Sequence, residues 1–89
     1  SYKKMEEDGV MLPVISLQLN FKKSAVYDDL ITVVTILKKR PSVKIEFDYK
    51  IYNEADEILV EAHTVLAFIN KVTKRPMKCP EAILEKIKI

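Results

Sequence analysis

The stretch VKIEFDYKI, Val43–Ile51, decides the fold class of this 89-residue chain. Apolar or aromatic side chains stand at every second position, with charged side chains between them. Successive side chains of a β-strand point to opposite faces, so this period of two predicts a strand with one buried face and one wet face. The apolar set is Val43, Ile45, Phe47, Tyr49 and Ile51, and the charged set is Lys44, Glu46, Asp48 and Lys50.

Three more strands are predicted, two before this one in the chain and one after it. Residues 15–21 alternate in the same way. Residues 30–39 carry a dense set of β-branched residues, which predicts a central strand covered on both faces. Residues 57–70 form a long strand whose second face changes from acidic to apolar midway, as if half of it met another subunit. Because the connections are short, we expect an antiparallel meander.

Helical segments are predicted at both ends of the chain. Ser1–Asp8 is charged and helix-permissive, and Gly9 follows where a left-handed C-terminal cap is most often needed. Pro80 opens a short second helix with apolar residues at helical spacing. A helix end, four strands and a closing helix predict a single α+β domain, residues 1–89.

The composition excludes several classes of function. Net charge is only +2, with 15 Lys and Arg among 13 acids, so no broad surface for nucleic acid is indicated. No apolar run reaches the roughly 18 residues that would span a membrane. The single cysteine, Cys79, cannot form an internal disulfide and is interpreted as a partly buried thiol, which fits a reducing cytoplasm.

Two adjacent carboxylates, Asp28 and Asp29, are candidates for a catalytic or metal-binding pair. In a strand, neighbouring side chains would point to opposite faces and could share neither a proton nor a metal ion. In a turn, aspartate is favoured because it bonds to its own backbone. The spacing therefore favours a structural role in the turn before a strand.

Other polar residues leave alternatives open. His63 stands in a strand with no second histidine or cysteine beside it, so neither a metal site nor a general base is indicated. Two clusters of cations could each bind a phosphate or could simply be solvated edges. The clusters are Lys38, Lys39, Arg40 and Lys44, and Lys71, Lys74, Arg75 and Lys78. With one glycine and no nucleophile elbow, these residues form no complete active site.

Four motifs together make the chain similar to a known family. They are KSAVYDD (23–29), FDYKIYN (47–53), EAHTVLAFIN (61–70) and RPMKCP (75–80). In this pattern the chain resembles the C-terminal two thirds of the hot-dog-fold acyl-CoA thioesterases of the 4-hydroxybenzoyl-CoA thioesterase-like family. The resemblance implies a hot-dog domain truncated at its N-terminus, with the central helix mostly missing and Asp28 and Asp29 as a structural signature.

The resemblance also implies a function for the intact protein. It would hydrolyse acyl-CoA in the cytoplasm as a homodimer or tetramer, without a cofactor or metal. The family's catalytic aspartate lies in a loop that would precede Ser1, so no catalytic residue is assigned and residues 1–89 alone are predicted to be inactive. Lys39, Arg40 and Lys44 would hold the CoA nucleotide. The alternative is a non-catalytic hot-dog module that binds acyl thioesters or serves as an oligomerisation domain.

Burial gives one further expectation. The apolar faces of the predicted strands have no local cover except the short closing helix. Burial of a large apolar side chain contributes ~1.5 to 3 kcal/mol to stability, and a side chain that stays half exposed contributes only part of this. We therefore expect that residues 1–89 alone do not form a stable monomer.

Overall fold

The computed structural model describes residues 2–87, with side chains from Lys3 onward. It confirms the α+β class and the four long strands, and Ser1 of the predicted first helix lies outside the described residues. The elements are α1 Tyr2–Glu7, β1 Val10–Met11, β2 Val14–Phe21, β3 Thr32–Ile36, β4 Lys44–Tyr52, β5 Ile58–Ala67, β6 Ile69–Asn70 and α2 Glu81–Leu84.

The four long strands form one antiparallel sheet in the order β2-β5-β4-β3, and β1 pairs with β6 in a small second sheet. The predicted meander holds for β3, β4 and β5 but is wrong for β2, which pairs with β5. Residues 22–31 therefore connect the two opposite edges of the sheet. The prediction that residues 30–39 form a central, doubly covered strand is also wrong, because β3 is an edge strand with exposed side chains. Its β-branched composition indicates side chains that fit a pleated surface, and it does not indicate the number of neighbouring strands.

The register of the sheet separates two faces. Directly opposed residues of antiparallel strands share a face. On one side, which we call the apolar face, Leu17, Leu19 and Phe21 of β2 lie opposite residues of β5. On the other side, the polar face, Gln18 lies opposite His63, and His63 lies opposite Asp48. The side chains of Val43–Ile51 alternate between the two faces as predicted, but of the apolar set only Ile45 is buried.

The buried core lies at one end of the sheet. Val10, Ile45, Phe68 and Cys79 are buried together, and Phe68 is fully inaccessible. Phe68 also interrupts the long strand predicted over residues 57–70, so that β5 and β6 belong to different sheets. Its backbone N–H donates to the Val43 carbonyl at 3.0 Å and its carbonyl accepts from the Met77 N–H at 2.9 Å. These two bonds join the end of β5 to the start of β4 and to the final loop.

The helix end predicted at Gly9 is confirmed. Gly9 has φ of 86°, a left-handed conformation that side chains with a Cβ rarely adopt. The backbone N–H groups of Asp8 and Gly9 donate to the carbonyls of Lys4 and Glu6, and so satisfy the last turn of α1. The Gly9 carbonyl accepts from Lys71 at 2.8 Å, which ties the cap to the loop after β6.

Candidate functional site

Asp28 and Asp29 lie in the connection between β2 and β3 and act on the backbone. Asp28 has φ of 68°, and Asp29 Oδ2 accepts from the Val26 N–H at 2.8 Å. The Asp29 N–H in turn donates to the Val26 carbonyl at 3.0 Å. This reciprocal pair closes a turn three residues before β3 begins, as the structural interpretation predicts.

His63 has two acidic partners that the inspection of its own strand missed. Its Nδ1 lies 2.7 Å from Asp48 Oδ1, and its Nε2 lies 3.0 Å from Glu46 Oε1. Asp48 is the cross-strand partner of His63, and Glu46 is two residues along β4 on the same face. Only the register of β4 against β5 brings these residues together, since they are 15 and 17 residues apart in the chain.

Two lysines extend this arrangement outward. Lys38 Nζ lies 3.5 Å from Asp48 Oδ2, and Lys39 Nζ lies 3.6 Å from Glu46 Oε2. Both lysines follow the end of β3, where the chain no longer alternates, so both reach the polar face. The five residues Lys38, Asp48, His63, Glu46 and Lys39 form a continuous chain of contacts, which we call the histidine network.

The charges in the histidine network reinforce one another. Hydrogen bonds to Asp48 and then to Glu46 raise the pKa of His63 above its usual 6.5, although partial burial acts in the other direction. The same hydrogen bonds are the main cause of the lowered pKa values of Glu46 and Asp48, and the nearby lysines lower these values further. When both ring nitrogens donate, His63 is an imidazolium between two carboxylates.

The network predicts a stability that depends on pH on both sides of neutrality. A histidine whose folded pKa is raised stabilises the fold fully below its unfolded pKa, and this contribution is lost as pH rises through the folded value. The two carboxylates stabilise above their unfolded pKa values, and their contribution is lost as pH falls through the lowered folded values. The contribution should therefore be greatest between the unfolded carboxylate pKa values and the unfolded pKa of His63, and should decline as pH rises from there through the raised folded pKa.

Urea unfolding of the full-length protein across pH 5 to 9 measures this dependence. Relative to wild type, His63→Gln should remove the loss of stability on the alkaline side. Glu61→Gln is the matched control, because Glu61 lies on the same strand and face but outside the network. Identical pH profiles for wild type and His63→Gln would contradict the prediction.

A metal ion does not fit this arrangement. No cluster of His, Cys, Asp and Glu within residues 2–87 could hold one. The physical reason is that the two ring nitrogens of His63 point in opposite directions, each toward a different carboxylate. A metal bound to one nitrogen could reach only one of the two acids.

The basic turn after β3 forms a second feature, which we call the cationic cleft. Lys39, Arg40 and Lys44, singled out from the sequence, line one cleft of 360 Å³. Ser42 and Glu46 line it too. The turn is anchored from beneath, because the Cys79 N–H donates to the Ser42 carbonyl at 2.6 Å. The structure thus brings these three cations to one opening on the surface.

Cys79 lies under this turn. It is buried, more completely than the partly buried thiol that the sequence predicted. Burial raises the pKa of the Cys79 thiol, and the Arg40 guanidinium acts in the other direction. The thiol is therefore kept protonated and contributes to packing.

The second cluster of cations behaves as a solvated loop. Lys71, Lys74, Arg75 and Lys78 are all exposed. Asn70 holds the turn together, since its Oδ1 accepts from the backbone N–H groups of Val72 and Thr73. The cations are spaced along the loop and do not join the cationic cleft.

The antiparallel sheet, its single apolar face and the closing helix define the class of this protein as a hot-dog domain of the thioesterase type. A family model described as the acyl-ACP thioesterase N-terminal domain matches residues 2–87, and the chain belongs to this family. The resemblance drawn from the four motifs is confirmed at the level of hot-dog thioesterases. The description of the matching family names acyl-ACP thioesterases. The four motifs had instead indicated the 4-hydroxybenzoyl-CoA thioesterase-like family.

Individual proteins are similar over most of this chain. YneP of Bacillus subtilis (strain 168), proposed to be an acyl-CoA thioesterase, is 28% identical over 81 residues, which are 91% of this chain and 59% of YneP. The crystal structure of a DHNA-CoA thioesterase from Staphylococcus aureus has a TM-score of 0.78 and 33% identity, over 88% of this chain and 52% of that one. A hypothetical protein from Thermus thermophilus has a TM-score of 0.80 and 28% identity, over 94% and 63% of the two chains. The chain thus spans between half and two thirds of these proteins.

Proposed function

We propose that the full-length protein hydrolyses acyl-CoA thioesters. The match of the thioesterase family to residues 2–87 carries this proposal. YneP and the Staphylococcus aureus enzyme, both described by acyl-CoA substrates, support CoA as the thiol carrier. In the reaction, water adds to the acyl carbonyl, the carbon–sulfur bond breaks and the thiol leaves with a proton.

None of the residues 2–87 is assigned to the chemical step. Both ring nitrogens of His63 are engaged by carboxylates, so the imidazole has no free nitrogen for a water molecule. The proposed carboxylate is an aspartate in a loop that would precede Ser1, as the resemblance implies. The part of the chain described here would contribute the sheet and the nucleotide contacts.

The cationic cleft is the proposed nucleotide site. Lys39, Arg40 and Lys44 would donate charge-assisted hydrogen bonds to a CoA phosphate. Arginine can do so with two parallel N–H groups, which adds directional preference. What supports the site is that three cations from one turn line a single cleft.

We further propose a cytoplasmic homodimer or tetramer. The exposed apolar face supports association of the sheets, and so do the outer edges of β2 and β3, which pair with no other strand within residues 2–87. Among the residues that the structure describes, no helix is long and apolar enough to cross a membrane. Fractionation of cells and light scattering of the purified protein test the two parts of this proposal.

A hydrolysis screen of the full-length protein tests the function. Short, long and aromatic acyl-CoAs are incubated with the protein and the released thiol is measured, with the same acyl groups on acyl carrier protein in parallel. Thiol release from at least one acyl-CoA is the expected result. Binding of acyl-CoA without release from either carrier would identify the non-catalytic module instead.

Charge reversal in the cationic cleft should weaken substrate binding. Arg40→Glu with Lys44→Glu replaces two attractive contacts with two repulsive ones, so we expect KM for acyl-CoA to rise by about tenfold or more. Lys71→Glu with Lys74→Glu is the matched control, because it makes the same change of charge in the solvated loop. An unchanged KM in the cleft variant would show that the site is assigned wrongly.

A further inference from the structure

Glu46 belongs both to the histidine network and to the cationic cleft. Its Oε1 lies 3.0 Å from His63 Nε2, and its Oε2 lies 3.6 Å from Lys39 Nζ. It also lines the cleft in which Lys39, Arg40 and Lys44 stand. If the cleft binds an anion, the Glu46 carboxylate in its wall competes with that anion for Lys39.

The two contacts of Glu46 differ in strength. The contact with His63 is short, and both side chains are about two thirds buried, at 34% and 31% exposed. The contact with Lys39 is longer, and the Lys39 side chain is 76% exposed. Exposed lysine–carboxylate pairs contribute little and exchange readily. Lys39 can therefore leave Glu46 for a phosphate, whereas His63 stays in place.

The protonation state of His63 changes how strongly the Glu46 carboxylate attracts Lys39 as its counter-charge. A charged imidazole donates to both Asp48 and Glu46, but a neutral imidazole has only one N–H. The contact with Asp48 is the shorter one, at 2.7 Å, so we expect the remaining proton to lie on Nδ1. The lone pair of Nε2 would then face the Glu46 carboxylate, and Lys39 would become the main counter-charge of Glu46.

The other groups near His63 are few. From β2, the residues on this face include the uncharged Ser16, Gln18 and Asn20. Lys50 of β4 and Glu61 of β5 lie opposite each other on this face, two residues along their strands from Asp48 and His63. Lys44 lies on the same face of β4 two residues before Glu46, and both line the cleft. The histidine network itself supplies Lys38, Lys39, Glu46 and Asp48.

We propose that Glu46 controls how available Lys39 is to an anionic ligand, and that a proton on His63 releases Lys39 to the cleft. The proposal rests on the cationic cleft as the nucleotide site of the proposed function. Binding of CoA should weaken as pH rises through the titration of His63. By linkage, a phosphate bound to Lys39 should in turn favour the charged form of His63.

Calorimetric titration of the full-length protein with CoA, at a series of pH values, tests this coupling. Glu46→Gln should bind CoA about two- to fivefold more tightly than wild type above the titration of His63, and by a smaller factor below it. The comparison uses the ratio of the two Kd values at each pH, so the titration of the CoA phosphates cancels. In His63→Gln, the effect of adding Glu46→Gln should no longer depend on pH.

Two controls separate competition for Lys39 from a general effect of charge. In a Lys39→Gln background, Glu46→Gln should leave the Kd unchanged, because the contested cation is gone. Glu61→Gln removes one negative charge from the same face outside the cleft and should also leave the Kd unchanged. Equal strengthening by Glu46→Gln with and without Lys39 would overturn the proposal, and so would a ratio that does not change with pH.

A direct measurement of the network completes the test. The His63 imidazole, followed by NMR without CoA, should titrate at lower pH in Glu46→Gln than in wild type, and an unchanged titration would overturn the proposal. If Arg40→Glu with Lys44→Glu leaves CoA binding intact, the cleft is not the nucleotide site and the proposal falls with it. If that variant weakens binding but Lys39→Gln does not, only the coupling is wrong. Thiol release in the hydrolysis screen reports on the proposed function separately.

Discussion

Residues 1–89, prepared on their own, are expected to elute from a size-exclusion column as an oligomer and not as a monomer of 10.3 kDa. The reason lies on the apolar face, where Leu17, Leu19 and Phe21 remain 58%, 53% and 74% exposed. Burying each such side chain contributes about 1.5 to 3 kcal/mol, and a domain usually has only about 5 to 15 kcal/mol of net stability. Burial of this face against a second chain should therefore stabilise the oligomer strongly relative to the monomer.

Substitutions on the two faces of β2 distinguish this cause from others. Leu17→Lys with Leu19→Lys places two charges on the apolar face and should shift the elution toward the monomer. Gln18→Lys with Asn20→Lys adds the same charges to the same strand on the polar face, and should leave the oligomer intact. A wild-type monomer that unfolds cooperatively on heating would contradict the prediction, as would equal effects of the two variants.

Phe68→Ala is expected to destabilise the full-length protein by about 3 to 5 kcal/mol. Phe68 is fully buried and packs with Val10, Ile45 and Cys79, so removal of its ring leaves a cavity that the joined sheets cannot easily close. The free energy of unfolding, measured in urea, reports the loss. The effect is large because a single domain of this kind has little stability to spare.

Two further variants make the result specific to the core. Val72→Ala truncates a side chain that is 87% exposed and should change stability by less than about 0.5 kcal/mol. Phe68→Leu retains most of the apolar volume and should cost less than Phe68→Ala. If Phe68→Ala were no more harmful than Val72→Ala, the core would not lie at this end of the sheet.

Local patterns predicted the elements well. The alternation over Val43–Ile51 depends only on the pleat of one strand, so it predicted both β4 and the side that carries the charges. Gly9 marked the end of α1 because a left-handed residue is a property of the backbone at that position. The order of the strands did not follow from local patterns. The dense β-branched residues before Lys39 indicated a central strand, yet β3 is at the edge.

The candidate site, too, could be predicted from the sequence only in part. Lys39, Arg40 and Lys44 lie within six residues of one another around a tight turn, so their meeting in one cleft could be predicted from the chain. The partners of His63 could not. Glu46 and Asp48 reach it across a strand boundary, and a shift of the register by one residue would turn them to the other face.

The sequence by itself determined where the four long strands lie, where α1 ends and which side of β4 is charged, because these depend on periods of two and on single backbone conformations. Only the tertiary structure decided that β2 pairs with β5, that β3 is an edge strand and that Glu46 lies between His63 and Lys39. The physical reason is that pairing and register are set by the total burial of the sheet. That free energy is shared among residues far apart in the chain and appears in no single stretch of it.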